Sequence, residues 1–316
     1  MAFAMGLPWH EGEEKMHSLM KSPRDHDNPT APGLSMQAAT MLQKAPLLAV
    51  GTLDAQNRPW TTLWGGSYGF ARPLGAGLIG LRTPVDATYD PVVDALFKSA
   101  PPDGSGSGPE AQSKMVGGLT IDLETRKRVK LYGRMAAGGL AEPPDEDDAT
   151  HKQVEAQLVV RIDQSLGNCP KYLNSKHITA APTTPTLVSE SALLHPDAQV
   201  LVSCSDLFFV SSSHSTEDMD TNHRGGPPGF VRLTTTPDGA QTQLVWPEYS
   251  ESARGVGGVG GGVWGGLWRG AGPGGGGAVC GGWGGGYAVV GGGGGVGCGA
   301  GGVVVECEGG GLGTCC

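Results

Sequence analysis

A sharp change of composition near residue 250 divides this chain into two segments that cannot follow the same folding rules. Of the last 66 residues, 32 are glycine, and none is lysine or aspartate. Glycine has no side chain to bury and loses the most backbone entropy on ordering, so residues 251–316 are not expected to fold alone. This low-complexity segment is either a disordered tail or a mis-spliced or frame-shifted end. The second interpretation is favoured because a β-rich pattern runs up to the break. Functional inference therefore rests on residues 1–250.

Charge and cysteine content argue against several classes of protein. The net charge of −9 disfavours a surface that binds nucleic acid over the whole molecule. Five of the seven cysteines lie in the glycine-rich segment, and the remaining two, Cys169 and Cys204, are too few for a disulfide framework or a four-thiolate metal site. Acidic residues follow the first methionine too closely for a signal peptide, and no apolar run could span a membrane. The sequence predicts a cytoplasmic protein with no metal, membrane or nucleic acid partner.

Local signals along residues 1–250 predict a mainly β domain. Residues 1–35 are expected to hold a short amphipathic helix and a loop, and Ser35 is the predicted N-cap of a helix of about three turns. A strand pair follows at 46–53 and 59–64, and the first of these strands is apolar enough to be covered on both faces. Short strands and long loops continue from there. They predict a β-barrel with peripheral helices over residues 36–250.

A basic strand is predicted within the segment 118–135. Period-two alternation places Val129 and Leu131 on one face and a polar set on the other, namely Arg126, Arg128, Lys130, Tyr132 and Arg134. A row of guanidinium and ammonium groups can hold a phosphate through charge-assisted hydrogen bonds. The alternative is a solvated strand face, or one that forms salt bridges with the acidic turn at 142–148.

Two further polar segments could carry chemistry. In Gln164–Tyr172, Cys169 is either a nucleophile or a small residue in a tight turn, and Lys171 is a candidate anion ligand. In Asp218–Phe230, an acid, an imidazole and a guanidinium precede a Gly-Gly-Pro-Pro-Gly run that fixes an irregular, exposed backbone. This second set suits binding of a polar ligand edge, and the alternative is a structural loop with an internal Asp–Arg pair.

Four segments together resemble the pyridoxamine 5'-phosphate oxidase-like family of FMN-binding split β-barrels, especially its flavin-nucleotide-binding branch. They are residues 45–66, 118–134, 164–178 and 218–233, in the order that the family has them. The resemblance implies a six-stranded split barrel that binds FMN at the interface of a homodimer. The family pattern continues beyond Pro-Glu-Tyr-Ser with a further strand, which this sequence lacks, so the barrel is expected to be incomplete at its C-terminal end. A missing strand would expose an unpaired edge.

The same resemblance implies which residues contact the cofactor. The strand with Trp60, Thr61 and Thr62 would lie along the isoalloxazine ring. Candidates for the phosphate or the ribityl chain are Arg82, Thr83, Arg128 and Lys130. Residues expected near the phosphate end or the dimer seam are Gln164, Asn168, Lys171 and Tyr172. The predicted catalytic residues, which would face the flavin or the substrate, are Asp220, His223 and Arg224.

The expected function is that of an FMN-dependent oxidoreductase. It would transfer electrons or a hydride to or from a small substrate, with NAD(P)H or an electron-transfer protein as a candidate partner. The alternative is a flavin-nucleotide-binding or scaffold module without turnover, retained as part of a larger protein. A related barrel branch binds haem, which would require an axial ligand such as His214 or His223.

Overall fold

The structure of this chain is a computed structural model. It describes residues 7–9, 14, 18, 28–98, 114–141, 154–167, 172–180, 186–189, 194–235, 242–249, 263–269, 278–283, 286–290, 296–299 and 303–306. Most of the predicted N-terminal helix and the acidic turn at 142–148 lie outside these residues.

Antiparallel strands dominate the described part of the chain. The helices are α1 (Met36–Lys44), α2 (Pro91–Val93), which continues as a π-helix (Asp94–Lys98), and α3 (Pro196–Cys204). The first strands are β1 (Ala31–Pro32), β2 (Leu47–Leu53), β3 (Pro59–Gly65), β4 (Ala71–Gly75), β5 (Leu78–Val85), β6 (Met115–Asp122), β7 (Lys127–Ala141) and β8 (Val154–Gly167). The next are β9 (His177–Ala180), β10 (Thr186–Ser189), β11 (Leu207–His214), β12 (Asp218–Gly225), β13 (Arg232–Thr235) and β14 (Thr242–Tyr249). The glycine-rich segment contributes β15 (Val263–Arg269), β16 (Ala278–Trp283), β17 (Gly286–Val290), β18 (Val296–Gly299) and β19 (Val303–Glu306).

The principal sheet contains β1 to β8. Its strand order is β3-β2-β6-β7-β8-β5-β4, and β1 pairs with β8. The prediction of a mainly β fold with few helices is confirmed. Within the described ranges no pairing joins β3 to β4, so the sheet is not closed into a barrel by hydrogen-bonded strands. Its two ends nevertheless approach each other, because the Thr83 hydroxyl on β5 donates to the Gly65 carbonyl at the end of β3 (2.6 Å).

The helix that Ser35 was predicted to cap is confirmed as α1. The Ser35 hydroxyl accepts from the Ala38 amide (3.2 Å), which satisfies one of the orphan donors of the first turn. Ala38 and Leu42 of this helix are fully buried in the core on the inner face of the sheet. The helix ends at Lys44, before Pro46.

Strand β2 is covered on both faces, as its continuous apolar run predicted. Leu48 and Val50 belong to the inner core, which also contains Trp64, Leu131 and Leu158. Leu47 and Ala49 belong to a second core on the outer face, together with Phe209 of β11. The hairpin formed by β11 and β12 therefore packs against the outer face of the sheet.

Two glycines let this hairpin approach the sheet closely. A Cβ atom on Gly51 would lie 2.2 Å from the Ser211 hydroxyl, and one on Gly117 would lie 2.5 Å from the Thr221 hydroxyl. In the space that the glycines leave, the Thr61 hydroxyl donates to Ser211 (2.7 Å), and Ser211 and Thr221 share a hydrogen bond (2.8 Å). All three hydroxyls are buried and satisfied, as buried polar groups must be.

Strands of the glycine-rich segment pair with strands of the preceding residues. β15 pairs with β14, β16 with β11, β18 with β10 and β19 with β9. Within the segment, β17 also pairs with β16 and with β18. The expectation that residues 251–316 do not fold alone stays a prediction.

Candidate functional site

One backbone edge of strand β3 has no hydrogen-bonded partner strand among the described residues. The Gly66 amide donates to the Pro46 carbonyl (3.0 Å), and hydrogen-bonded pairs alternate along an antiparallel ladder. The backbone groups of Trp60, Thr62 and Trp64 therefore point toward β2, and those of Thr61 and Leu63 point away from it. The Gly65 carbonyl also points away, which agrees with its hydrogen bond from Thr83. β2 is the only hydrogen-bonded neighbour of β3 among the described residues, so the outward N–H and C=O groups of Thr61 and Leu63 have no strand partner, although β16 lies close to β3.

Strand β5 and the turn before β4 lie at one end of this edge. The Arg82 side chain is 72% exposed, and its Nε donates to the Glu155 carboxylate (2.6 Å). The Arg82 amide donates to the Phe70 carbonyl (2.8 Å), which anchors the turn to β5. In that turn Tyr68 is 80% exposed. The structure thus places Thr83 at the Gly65 end of β3, next to Arg82 on β5, whereas Trp60, Thr61 and Thr62 lie toward the other end of β3.

The side chains of β3 are held by contacts within the chain. The Trp60 indole donates to Asp54 (2.8 Å), and the Arg58 guanidinium lies 5.7 Å from its ring centroid. Thr61 is bound to Ser211 on the outer face, as described above. A ligand at this edge would therefore meet the strand backbone, while these side chains fix the strand.

On the inner face, β3 is tied to a buried carboxylate that the sequence interpretation missed. One oxygen of Asp90 accepts from the Thr62 hydroxyl (2.8 Å) and the Trp64 indole (3.3 Å). The other accepts from the Val92 and Val93 amides (2.8 and 3.4 Å) at the start of α2. Burial raises the pKa of Asp90 to about 6, although these four hydrogen bonds oppose the shift. The signal was available, since Asp followed by Pro is typical of a helix N-cap and its first residue.

The predicted basic face of β7 is occupied by β12. Val129 and Leu131 lie in the inner core and Arg128 and Lys130 face the hairpin, so the predicted alternation is confirmed for these residues. Arg126 is an exception, because it lies in the turn before β7 with a left-handed φ of 58°. Farther along the strand, the Tyr132 hydroxyl donates to the Glu217 carbonyl (2.7 Å).

Two contacts join β7 to β12. Nη1 of Arg128 lies 2.6 Å from Nδ1 and 2.5 Å from Nε2 of His223, and both side chains are more than 95% buried. Because arginine can only donate, the hydrogen bond runs from Nη1 to whichever imidazole nitrogen carries no proton. Lys130 forms an ion pair with Asp220 (2.5 Å). The carboxylate partner of the basic face thus comes from β12.

The three predicted catalytic residues lie on a strand, which corrects the expectation of a loop for this part of the segment. Asp218–Gly225 forms β12, and only the following glycines and prolines form a turn. Side chains alternate along a strand, so His223 faces the sheet while Asp220 and Arg224 start from the opposite face. Nη1 of Arg224 donates to the His223 carbonyl (3.1 Å). The structure therefore does not bring the three functional groups to one face.

The segment 164–178 contacts β12 through its second half. Gln164 lies on β8, opposite Tyr132 of β7. Asn168, Cys169 and Lys171 are outside the described residues. A Cβ atom on Gly225 would lie 2.4 Å from the Tyr172 carbonyl, so this glycine permits the contact between the two segments. Nearby, the Asn174 amide donates to the Gly226 carbonyl (3.1 Å).

Comparisons with known proteins show little similarity. No family model and no curated protein matches this chain. One solved structure, titled F420 reductase, has 10% sequence identity, covers 40% of this chain and 93% of its own length, and gives a TM-score of 0.25. A similarity of this size supports no conclusion on fold or function. Within the described residues, no helix is long and apolar enough to cross a membrane.

The donor sets of the two regions differ in how well they fit a flavin nucleotide. At the β3 edge, outward backbone N–H and C=O groups match the alternating carbonyl and N–H groups of the flavin pyrimidine ring. The exposed guanidinium of Arg82 can bind a phosphate. On β7, Arg128 and Lys130 contact side chains of β12, so in this arrangement their donors point to protein groups. The donor set of the β3 edge is therefore the one compatible with a flavin nucleotide, although Arg82 is also paired with Glu155.

Proposed function

We propose that this chain binds FMN at the edge of β3 and acts as an oxidoreductase of the pyridoxamine-phosphate-oxidase-like class. The observation that carries the proposal is the outward backbone of Thr61 and Leu63, on a strand whose end meets β5, the strand that carries the exposed Arg82. An edge strand offers donors and acceptors at fixed spacing, which suits a planar ring with polar groups along one side. A small-molecule substrate, a homodimer and a cytoplasmic location belong to the same proposal.

Each group at this edge has a defined role in the proposal. The backbone of Thr61 and Leu63 would bind the pyrimidine side of the flavin, and Arg82 would bind its phosphate. Tyr68 would cover the ring from the neighbouring turn, because aromatic side chains stack on π-systems. When bound, the flavin supplies hydride or electron transfer, and the protein supplies orientation and electrostatics.

The direct test is an absorption spectrum of the purified full chain, before and after incubation with FMN and desalting. Retained flavin bands are expected. A folded protein that remains colourless would contradict the proposal.

A pair of variants tests the role of Arg82. Arg82→Ala should weaken FMN binding by about tenfold to a hundredfold, because charge-assisted hydrogen bonds contribute about 1.5–3 kcal/mol. It should leave riboflavin binding unchanged, since riboflavin has no phosphate. Arg161→Ala is a matched control, because Arg161 is another exposed arginine of the same sheet, in a loose ion pair with Asp163 (3.5 Å). Equal losses in both variants would argue against a phosphate site at Arg82.

A second function, a flavin-binding or scaffold module without turnover, is favoured by one observation. Asp220 and His223 contact Lys130 and Arg128, so these groups are engaged within the protein. The two functions differ in their response to reductant. Bleaching of bound flavin by NADH or NADPH would support the oxidoreductase, whereas bound flavin that no reductant bleaches would support the module.

A further inference from the structure

We propose that Asp90 is a positioning residue for the flavin-binding edge of β3, and that its ionised form holds this strand in the alignment that binds flavin. The inference rests on the function proposed above. Among the described residues, Asp90 hydrogen-bonds β3 through the Thr62 and Trp64 side chains, so it would act through these two groups.

The hydrogen-bond pattern around Asp90 selects the ionised carboxylate. Four donors converge on its two oxygens: the Thr62 hydroxyl, the Trp64 indole and the Val92 and Val93 amides. A carboxylate accepts about four hydrogen bonds, whereas a protonated carboxyl group must donate one. An indole N–H and two backbone amides cannot accept. Protonation therefore leaves Thr62 as the only group that could turn to accept, and it weakens the contact with Trp64.

Asp90 connects helix α2 to the edge strand β3. On one side Asp90 caps α2, whose valines are fully buried in the inner core. On the other side it holds Thr62 and Trp64, which alternate along β3 with Thr61 and Leu63. Because a strand is continuous, the orientation of the inward side chains sets the direction of the outward N–H and C=O groups. Loss of the Asp90 contacts with Thr62 and Trp64 would allow β3 to twist. The outward N–H and C=O groups of Thr61 and Leu63 would then no longer match the flavin ring.

The charged groups around Asp90 do not account for its titration. On its own helix, Asp94 and Lys98 lie on the surface and face each other (3.9 Å). Lys114, which precedes β6, donates to the Ala95 and Leu96 carbonyls. Asp86, in the preceding turn, accepts from the Thr88 and Tyr89 amides. The valines of α2 that follow Asp90 pack in the same core as Leu48 and Val50 of β2. The pKa of about 6 results from burial opposed by hydrogen bonds, with no contribution from a neighbouring charge.

The expected loss of flavin affinity in acid follows from the Asp90 pKa of about 6. If only the ionised form binds well, the apparent affinity follows the ionised fraction. That fraction falls from about 0.9 at pH 7 to about 0.1 at pH 5, so affinity should fall by up to about tenfold. By reciprocity, bound flavin should lower the midpoint of the Asp90 titration.

Riboflavin is the appropriate probe for this test. The phosphate of FMN itself titrates near pH 6, as other phosphate monoesters do, whereas riboflavin lacks this group. We would measure riboflavin binding to the full chain between pH 5 and 7.5 by fluorescence quenching. In the same samples, the ¹H–¹⁵N signal of the Trp64 indole reports the protonation of Asp90, with or without flavin.

Two variants separate positioning from general damage. Asp90→Asn is expected to bind riboflavin with an affinity that does not depend on pH, near that of the wild type at pH 5, and its Trp64 signal should not titrate. Asp94→Asn is the matched control on the same helix, because Asp94 is exposed, and it should retain the wild-type pH profile. If Asp90→Asn does not fold, the pH dependence of riboflavin binding by the wild type, compared with its Trp64 signal, still tests the role of Asp90.

The outcomes distinguish this inference from the function on which it rests. Riboflavin affinity that is constant from pH 5 to 7.5, while the Trp64 signal titrates, would overturn the role of Asp90 and leave flavin binding intact. Absence of flavin binding by the wild type at every pH would overturn both proposals. A tenfold fall that persists in Asp90→Asn would place the titrating group elsewhere and also overturn this inference.

Discussion

The packing of the β11–β12 hairpin on the sheet can be tested at Gly117. A Cβ atom at this position would lie 2.5 Å from the Thr221 hydroxyl, about 0.9 Å inside an ordinary contact of 3.4 Å. The next nearest atom, the Thr221 amide nitrogen, would be 3.3 Å away. The Thr221 side chain is fully buried and bonded to Ser211, so it cannot rotate away without losing that bond. Gly117→Ala should therefore lower the free energy of unfolding by about 2–4 kcal/mol, from overpacking and a disturbed buried hydrogen bond.

A double-mutant cycle tests whether the loss of stability comes from the contact between position 117 and the Thr221 hydroxyl. Thr221→Ala alone should cost about 1–2 kcal/mol, because it leaves the Ser211 hydroxyl with one partner fewer. In the double variant the alanine at 117 no longer meets the hydroxyl, so the two losses should fall short of additivity by about 1–2 kcal/mol.

Urea denaturation followed by circular dichroism measures these free energies. Gly139→Ala, on the same sheet, is the matched control, since a Cβ atom there would meet no atom within 4 Å. Losses that add to within about 0.5 kcal/mol would refute the close approach of Thr221 to Gly117.

Two further predictions concern buried charges. Because the pKa of Asp90 is raised from 3.8 to about 6, the folded state holds this proton more tightly than the unfolded chain. Ionisation of Asp90 should therefore reduce the free energy of unfolding by about 3 kcal/mol as pH rises from 4 to above 6. Urea denaturation at four pH values should show this decrease in the wild type and not in Asp90→Asn, and parallel curves would contradict it. Lys176→Met should cost about 3–5 kcal/mol, because it leaves the buried carboxylate of Asp206 without its ammonium partner at 2.6 Å. Asp163→Asn, in an exposed pair, should change stability by less than about 0.5 kcal/mol, and equal effects would show that the Lys176 pair is solvated.

The sequence predicts those features of the fold whose signals are local. Ser35 is a capping residue beside a helical pattern, and the apolar run of β2 has no polar side that water could face. The alternation of β7 is likewise visible within a few residues, except at Arg126, where the turn imposes a left-handed backbone. These features depend on interactions between neighbours in the chain.

The candidate site depends on contacts between residues far apart in sequence, and for that reason much of it could not be predicted. Lys130 and Asp220 are separated by 90 residues, and Arg128 and His223 by 95. A row of basic side chains has the same pattern whether it faces a phosphate or the carboxylate of another strand. The pattern at Asp90 identifies a helix cap, but it gives no sign that Thr62 and Trp64 supply two of its four donors.

Stability and the proposed activity should respond to acid in opposite directions at Asp90. Ionisation of a carboxyl group in the core costs desolvation energy, so the protein should become more stable as this group is protonated. The four donors around Asp90 are satisfied only by the ionised form, so the alignment of β3 should deteriorate over the same pH range. A variant or condition that merely damages the fold would lower both stability and flavin affinity. We therefore expect the wild-type protein to be harder to unfold at pH 5 than at pH 7 and yet to bind riboflavin more weakly at pH 5. This combination would indicate a buried carboxylate that positions β3 at a cost in stability.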